Sequence, residues 1–407
     1  MNKLERFFLE RYIKAPKRNL LRFSFMFMIL GIVLSVSILS AGLNLFQGYE
    51  TSLKEVLLGS FPHITIQDAD SDYLSIDRVK TLISQISKNP AVETITPSIS
   101  YSVMASNGSR IRGASLNAYD FSGKFPFPYA KYIKDGKSTI STGEIIVGKY
   151  LAKELGKKTG DELKVIYPQL DRISALGLYP SERSYRIAGI YSSGFYESDR
   201  SQIICTLSDA ETLLNINPSF AKLEIRLHSK SINAATTIAT ELQQALGMDL
   251  AVYPWTMFSA GLLRLVAMEK WLIFIIFCFL VLIAGINVIS AVTTIILDKK
   301  NEIAVLKTLG ATNASIKKLF AYQVGLAGIC AILAGQGLGA LLSLFVENQG
   351  WYRLKGDVYF IDSLNAAIYP INQVIVFIVA ACLVSVCIHY PLRQIDKLQI
   401  IELLRNS

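Results

Sequence analysis

Trp271-Leu-Ile-Phe-Ile-Ile-Phe-Cys-Phe-Leu-Val-Leu-Ile-Ala-Gly-Ile-Asn-Val-Ile-Ser-Ala-Val-Thr-Thr-Ile-Ile-Leu297 runs for 27 residues without Asp, Glu, Lys or Arg. At ~1.5 Å per residue a helix of that length exceeds the ~30 Å hydrocarbon core of a bilayer. Each charge at a bilayer centre would cost roughly 2.5–3.5 kcal/mol, so a charge-free run of this length reads as a membrane span. Three more such runs occur, Phe23–Tyr49, Leu319–Val346 and Ser363–Leu392. A buried helix of a soluble protein rarely extends past ~20 residues without a polar face, which excludes the soluble reading. The first run is too long for the apolar core of a signal peptide, and Ala41-Gly42-Leu43 is a poor cleavage site, so it is expected to remain as a span.

Composition agrees. The chain has 407 residues, 51% hydrophobic and 18% charged, with mean hydropathy +0.38. It is too apolar for a soluble protein and too charged for a bundle of spans alone. The expected class is an integral membrane α-helical protein with four transmembrane helices and a large α+β extracytoplasmic domain between helices 1 and 2. The segments are a basic N-terminus (1–22), helix 1 (23–49), the large domain (50–270), helix 2 (271–297), a connecting segment (298–318) and helix 3 (319–346). An outer loop (347–369), helix 4 (370–392) and a tail (393–407) complete the chain.

Charge sets the direction. Residues 1–22 carry seven Lys or Arg against two Glu; 298–318 carry five Lys against Asp298 and Glu302; the tail adds three basic groups against two acidic ones. Residues 50–270 hold 24 basic and 23 acidic groups and are nearly balanced. The positive-inside rule therefore places both termini and 298–318 in the cytoplasm and the large domain outside the cell membrane. Nucleic acid is excluded as the reason for the +9 charge, because the basic groups abut the spans and form no separate aromatic-interleaved face.

Strand-like runs recur in 50–270: His63–Gln67, Tyr101–Ala105, Glu144–Val147, Leu163–Tyr167, Tyr185–Ile190, Gln202–Thr206 and Lys222–Leu227. Helical patterns separate several of them, at Ile76–Ser87, Lys149–Leu155, Ser208–Leu214 and Ile232–Leu246. Segments 50–100 and 222–255 are expected to close the domain beside the membrane, with 101–221 further out. Between two strands that would otherwise make a hairpin lies an insert from Pro168 to Glu182, containing Arg172, Leu176, Leu178, Tyr179 and Pro180. It is far longer than the usual 2–5 residues. Either it is a flexible surface loop, or it is a protruding arm (168–184) whose apolar groups bind another protein.

Chemistry is sparse. His63, His228 and His389 are far apart, and four of the five cysteines sit in apolar runs, leaving Cys205 alone in the large domain. No metal site, disulfide framework or catalytic constellation follows. Gly143-Glu144-Ile145-Ile146-Val147-Gly148-Lys149-Tyr150 has the glycine and lysine spacing of a phosphate-binding loop, but Tyr150 stands where a Mg²⁺-binding hydroxyl is needed and Ile145–Val147 reads as strand. In 298–318, Ile303, Leu306 and Leu309 follow helical spacing, Gly310 is a natural stop and Thr312 can cap the next helix. This amphipathic segment either rests on lipid headgroups or docks a cytoplasmic partner. Ala327, Ala331, Gly335, Gly339 and Ser343 recur at intervals of four and allow close helix packing, within or between subunits.

Several of these residues carry a resemblance. Met268-Glu269-Lys270, Asn287-Val288-Ile289-Ser290 and Glu302-Ile303-Ala304-Val305-Leu306-Lys307-Thr308-Leu309-Gly310-Ala311 are similar to the second span and coupling segment of LolC/LolE lipoprotein-releasing permeases. These belong to the wider MacB/FtsX-like class. Phe46-Gln47-Gly48-Tyr49-Glu50, Gly356–Asp362 and Tyr390–Arg393 with Ile401–Leu404 also fit. The resemblance implies an ABC transporter permease of the cell inner membrane, not itself an enzyme. It binds no cofactor; ATP and Mg²⁺ are used by a separate LolD-like ATPase. It implies a second permease subunit (self or LolC/LolE-like), an acylated lipoprotein substrate taken from the outer leaflet, surrounding membrane lipid, and a LolA-like periplasmic carrier. Glu302, Ile303, Ala304, Leu306, Lys307, Leu309, Gly310 and Ala311 would dock the ATPase. Phe46, Met268, Tyr359 and Phe360 would line the acyl-chain cavity, and the arm of Pro168, Arg172, Leu176, Leu178, Tyr179, Pro180 and Glu182 would grip the carrier. A MacB-like efflux permease and an FtsX-like signalling subunit are the rival readings.

Overall fold

The computed structural model describes residues 19–71, 73–168, 173–174, 177–178, 180–216, 219–348 and 368–397. Two compact units emerge. One comprises the chain up to Thr51 together with Val266–Tyr352 and Leu364–Ser407; the other comprises Ser52–Leu265 and Arg353–Ser363.

In the first unit the helices are α1 (Asn19–Ser60, whose last turns belong to the second unit), α8 (Ala260–Asp298), α9 (Lys300–Thr308), α10 (Asn313–Asn348) and α11 (Pro370–Leu392). Among the described residues, α1, α8, α10 and α11 are long and apolar enough to cross a membrane. Helices α1, α8 and α10 outrun their charge-free stretches. Helix α1 continues past Tyr49 to Ser60, and α8 begins at Ala260, ahead of Trp271. The physical reason is that charge limits burial in lipid and not helicity, so Glu50, Lys54, Glu55, Arg264, Glu269 and Lys270 are accommodated in the same helices.

Only 22–39% of each span's most apolar window is buried within the chain, so the apolar majority faces outward. On α1 the stripe Met28, Ile32, Val36, Leu39 and Leu43 turns into the bundle while Phe27, Leu30, Leu34 and Ile38 are exposed. In water such a surface would drive aggregation; in hydrocarbon it is the solvated one. The small-residue stripe of α10 meets α1. A Cβ on Gly335 would lie 2.8 Å from the Val33 carbonyl oxygen, and one on Gly339 would lie 2.7 Å from that of Ser37. The stripe thus serves packing within this chain.

The second unit carries β1 (Ile64–Asp68), α2 (Ile76–Ile86), β2 (Val92–Ser106), β3 (Ile111–Tyr119), β4 (Ile133–Gly136), β5 (Glu144–Gly148), α3 (Lys149–Leu155), β6 (Glu162–Tyr167), β7 (Ile173–Ser174), β8 (Gly177–Leu178) and β9 (Ser181–Tyr191). There follow α4 (Tyr196–Ser201), β10 (Gln202–Thr206), α5 (Leu207–Leu214), β11 (Lys222–Leu227), α6 (Ala235–Leu246), β12 (Leu250–Pro254) and α7 (Trp255–Phe258). The α+β class is as expected. Strands β3, β4 and β12 and the first half of β2 are not legible in the sequence: β3 alternates, but Gly113, Ala114, Asn117 and Ala118 are weak strand formers.

The fifteen-residue β2 belongs to two arrangements. Its first half pairs with β11 in the antiparallel order β12-β1-β11-β2. These strands come from 50–100 and 222–255. Its second half pairs with β3 and β6, and β2-β3-β10-β5-β9-β6 closes back on β2 as a ring of six strands. Alternate residues Ile99, Val103, Leu116, Ile145, Val147, Val165, Ile187, Ile203 and Cys205 converge on one core, backed by Leu151, Leu155 and Leu213. Ile146 and Ile204 face the opposite way, into a second cluster with Tyr119, Tyr129 and Tyr191. Burial on both faces explains why β5 and β10 read as unbroken apolar runs.

The glycines of the apparent phosphate-binding loop serve this fold. Gly143 has φ +87° and donates its N–H to the Asp209 carboxylate at 3.0 Å, while a Cβ on Gly148 would strike the Asp199 carbonyl oxygen at 2.3 Å.

Candidate functional site

The described chemistry gathers at the two ends of the helix bundle. At one end, α9 follows α8 after a single residue. Ile303 and Ala304 are buried, and Leu306 packs against the same core as Ile316, Phe320, Leu392 and Ile395. Glu302, Val305, Leu309 and Gly310 are exposed, Leu309 at 77%. Gly310 has φ +89°; its N–H donates to the Lys307 carbonyl at 3.1 Å and the Ala311 N–H to that of Leu306 at 3.0 Å. This is the crossed bonding of a Schellman cap, with Leu306 and Ala311 supplying its apolar contact. Thr312 then caps α10, its Oγ1 accepting from the Ser315 N–H at 3.2 Å. The predicted coupling residues therefore divide. Ile303, Ala304, Leu306 and Ala311 face inward, Glu302, Leu309 and Gly310 outward, and Lys307 lies between. Val305, 52% exposed, joins the outward set.

A tight turn (Arg393–Lys397) follows α11 and covers the inward face of α9. Ile395 is fully buried in that cluster, Lys307 Nζ donates to the Ile395 carbonyl at 3.2 Å, and Lys317 pairs with Asp396. The sequence reading missed this contact, because 88 residues separate Lys307 from Ile395.

At the opposite end lie Phe46 and Met268, which differ in burial. Phe46 is 9% exposed and stacks edge-on to Tyr49 at 5.8 Å, whereas Met268 is 60% exposed. Tyr359 and Phe360 lie outside the described residues. Besides the apolar cluster they share, α1 and α8 are joined here by polar contacts. Lys270 Nζ donates to Gln47 Oε1 at 3.0 Å and to Glu50 Oε2 at 2.8 Å, and Asn372 Nδ2 donates to the same Gln47 oxygen at 3.4 Å. A second set lies deeper. Gln373 Oε1 accepts from Ser40 Oγ at 3.0 Å, its Nε2 donates to Asn44 Oδ1 at 2.8 Å, and its carbonyl accepts from Gln336 Nε2 at 2.6 Å. Asn44 Nδ2 in turn donates to Ser343 Oγ at 3.4 Å. Polar groups at bilayer depth are costly to leave unpaired, and here each finds a partner on another helix. The available signal was the presence of Glu50 and Lys270, opposite charges standing directly outside two charge-free runs.

Of the arm, Pro168 is half-buried, Pro180 is exposed and Glu182 pairs with Lys164 at 3.1 Å; β7 and β8 pair as a short hairpin carrying Leu178. Arg172, Leu176 and Tyr179 lie outside the described residues. The arm prolongs the β6–β9 hairpin, whose register runs from Glu162↔Arg186 to Tyr167↔Ser181.

The large domain also holds a polar cavity of about 340 Å³ lined by Glu224, Lys222, Tyr119 and Tyr129. Glu224 is buried and accepts from Ser98 Oγ at 2.9 Å and from the Tyr119 and Tyr129 hydroxyls at 3.1 Å, with Lys222 Nζ at 3.1 Å. Burial, then the Glu224 charge, pushes both tyrosines well above their ordinary range. With its oxygens already engaged by protein donors, this carboxylate is a strut between β11, β2, β3 and the segment bearing Tyr129. Among the described residues no three metal-ligating side chains converge.

Residues 25–245, more than half of the chain, match the MacB-like periplasmic core domain. The chain belongs to that family. Residues 274–400, holding α9 and most of the last three spans, match the FtsX-like permease C-terminal family. The likeness also extends over the whole chain. It is 27% identical to the lipoprotein-releasing system transmembrane protein LolC of Neisseria meningitidis serogroup B, over 97% of each chain. It is 25% identical to LolE of Haemophilus influenzae, over 97% of this chain and 98% of that one. To LolC of Xylella fastidiosa it is 25% identical over 97% of each. The resemblance read from the motifs is thus that of the full chain.

Proposed function

We propose that this protein is the membrane-spanning permease subunit of an ATP-driven system that extracts lipoproteins from the outer leaflet of the inner membrane and passes them to a periplasmic carrier. The observation that carries the proposal is likeness to LolC and LolE from end to end, through spans, large domain and coupling segment in one order. Moving an acyl chain out of lipid opposes ~0.8 kcal/mol per CH₂, so an energy source is needed. A separate LolD-like ATPase supplies it with ATP and Mg²⁺, and this chain acts as a transporter subunit without catalysis of its own. The exposed Glu302, Val305, Leu309 and Gly310 form the docking face for that ATPase, held in place by the buried Ile303 and Ala304 and the half-buried Leu306. A second permease subunit, a copy of this chain or a LolC/LolE-like sister, completes the cavity to which Phe46, Met268, Tyr359 and Phe360 contribute. The 168–184 arm binds the LolA-like carrier.

Depleting the protein and fractionating membranes tests the reading. Outer-membrane lipoproteins should accumulate in the inner membrane; normal sorting with a drug-sensitivity or cell-wall defect would instead support efflux or signalling. Deleting Leu170–Tyr179 should abolish carrier capture while lipoprotein still co-purifies, and capture that survives the deletion refutes the arm. Orientation is best probed at Met248→Cys, since Met248 is 91% exposed whereas Cys205 is 1% exposed and burial pushes its thiol upward. Labelling of Met248→Cys from the cytoplasmic side alone would overturn the topology.

A further inference from the structure

Helix α11 is the shortest of the four spans, and polar contacts tie both its ends to elements that the transport reading uses. At its C-terminal end the Arg393–Lys397 turn is clamped to the coupling segment by Lys307 on the Ile395 carbonyl, by the Lys317–Asp396 pair and by the fully buried Ile395 side chain. At its N-terminal end Gln373 bonds Ser40 and Asn44 of α1 and Gln336 of α10. Its neighbour Asn372 reaches Gln47, which also takes the Lys270 bond. Between the two, Val376, Ala380, Val384 and Ile388 recur every four residues as a buried ridge. From Gln373 to Leu392 the helix rises about 29 Å, close to the hydrocarbon thickness.

We propose that α11 is the element that transmits displacement of the coupling segment to the outer half of α1, with Asp396 and Gln373 as the positioning residues at its two ends. This rests on the permease reading above. The reasoning is one of register. A helix held only by apolar ridges can slide between neighbouring packings, since lipid and side chains are equally apolar. The side-chain bonds of Gln373 to Ser40 and Asn44 are satisfied in one register alone, and a shift of α11 by a single residue breaks them. At the other end, Ile395 and Asp396 hold the last turn against α9 and α10 in the same way. Motion of α9 is therefore passed on as motion of α11, and then of the α1 segment bearing Ser40, Asn44 and Gln47, which includes Phe46. A leucine matches the volume of Gln373 but leaves the buried Ser40 and Asn44 without this partner, so midpoint and release are read together to separate loosened packing from lost coupling.

The test uses the intact complex with its cognate ATPase in proteoliposomes, reading lipoprotein release, ATP hydrolysis and thermal midpoint together. Gln373→Leu and Asp396→Lys are each expected to cut release per ATP at least tenfold with ATPase activity within twofold, Asp396→Lys at an unchanged midpoint and Gln373→Leu at a slightly lowered one. The charge swap Lys317→Asp with Asp396→Lys should restore release to within threefold. Release per ATP that stays within twofold in both single variants, or a swap that fails to rescue, overturns the proposal. If the unsubstituted complex releases no lipoprotein, the permease reading is what fails. The α11 proposal is then decided by maleimide labelling of Phe46→Cys in a background free of native cysteines. Nucleotide should change that labelling, and Gln373→Leu should abolish the change; a nucleotide response that persists, or that is absent without Gln373→Leu, refutes it.

Discussion

Replacing Gly310 by alanine isolates one conformational demand of the coupling segment. Gly310 has φ +89°, and a Cβ built there meets nothing within 4 Å, so the penalty is backbone strain and not collision. An L-residue in left-handed backbone costs about 1–2 kcal/mol. Stiffening of the unfolded chain offsets about 0.4–1 kcal/mol of that, leaving a net loss of about 0.5–1.5 kcal/mol. The loss falls on the cap bonds from Gly310 to Lys307 and from Ala311 to Leu306. Hydrogen exchange of the reconstituted protein should show amides 309–312 opening about two- to tenfold more often, at about tenfold per 1.4 kcal/mol. Gly325→Ala is the matched control. Its Cβ also meets nothing within 4 Å, but its φ is not positive, so alanine there should protect the helix. Gly310→Pro adds loss of the N–H that bonds Lys307 and should cost about 3 kcal/mol or more, uncoupling ATP hydrolysis from transport while the chain stays inserted. Equal exchange in Gly310→Ala, Gly325→Ala and the unsubstituted chain would refute the left-handed cap.

His63 is buried, accepts a bond at Nδ1 from the Leu227 N–H at 2.9 Å, and has its pKa lowered to about 4 by burial and then by Arg226. Between about pH 6.5 and 4 the unfolded chain takes up a proton that the folded domain refuses, so stability falls as pH falls. The loss at pH 5 relative to pH 7.5 is about 2 kcal/mol, readable by urea unfolding. A His63→Gln chain that keeps the same pH slope contradicts this. Glu224→Leu leaves the Ser98, Tyr119 and Tyr129 hydroxyls and Lys222 without their shared acceptor and should destabilise the large domain by about 3–5 kcal/mol. A loss under 1 kcal/mol in denaturant titration would show that the strut is dispensable. Gly339→Val forces a Cβ to within 2.7 Å of the Ser37 carbonyl oxygen and 2.8 Å of Ser40 Cβ, and should cost about 1–3 kcal/mol. Gly337→Val, which meets nothing within 4 Å, should leave the melting midpoint in detergent where it is, and equal midpoints for the two would undo the packing account.

Long-range order in the primary structure was enough for the membrane architecture. Freedom from charge over more than twenty residues is a one-dimensional property with a three-dimensional consequence, because the bilayer imposes a fixed thickness and a fixed charge penalty. The cap at Gly310 and Thr312 was legible for a similar reason, since its bonds join residues at most five apart. Strands whose two faces are buried, such as Ile203-Ile204-Cys205, announced themselves by apolar runs, whereas β3, rich in weak strand formers such as Gly113, Ala114 and Asn117, did not. Tertiary structure alone decided which polar groups meet. Gln373 and Ser40 are 333 positions apart, Lys270 and Glu50 are 220, and Ser98 and Glu224 are 126. Nothing local marks such pairs, because each side chain is an ordinary polar residue until the packing of apolar faces brings its partner within reach. The same folding turned Phe46 inward and left Met268 exposed, a distinction that depends on which face of each helix finds a neighbour.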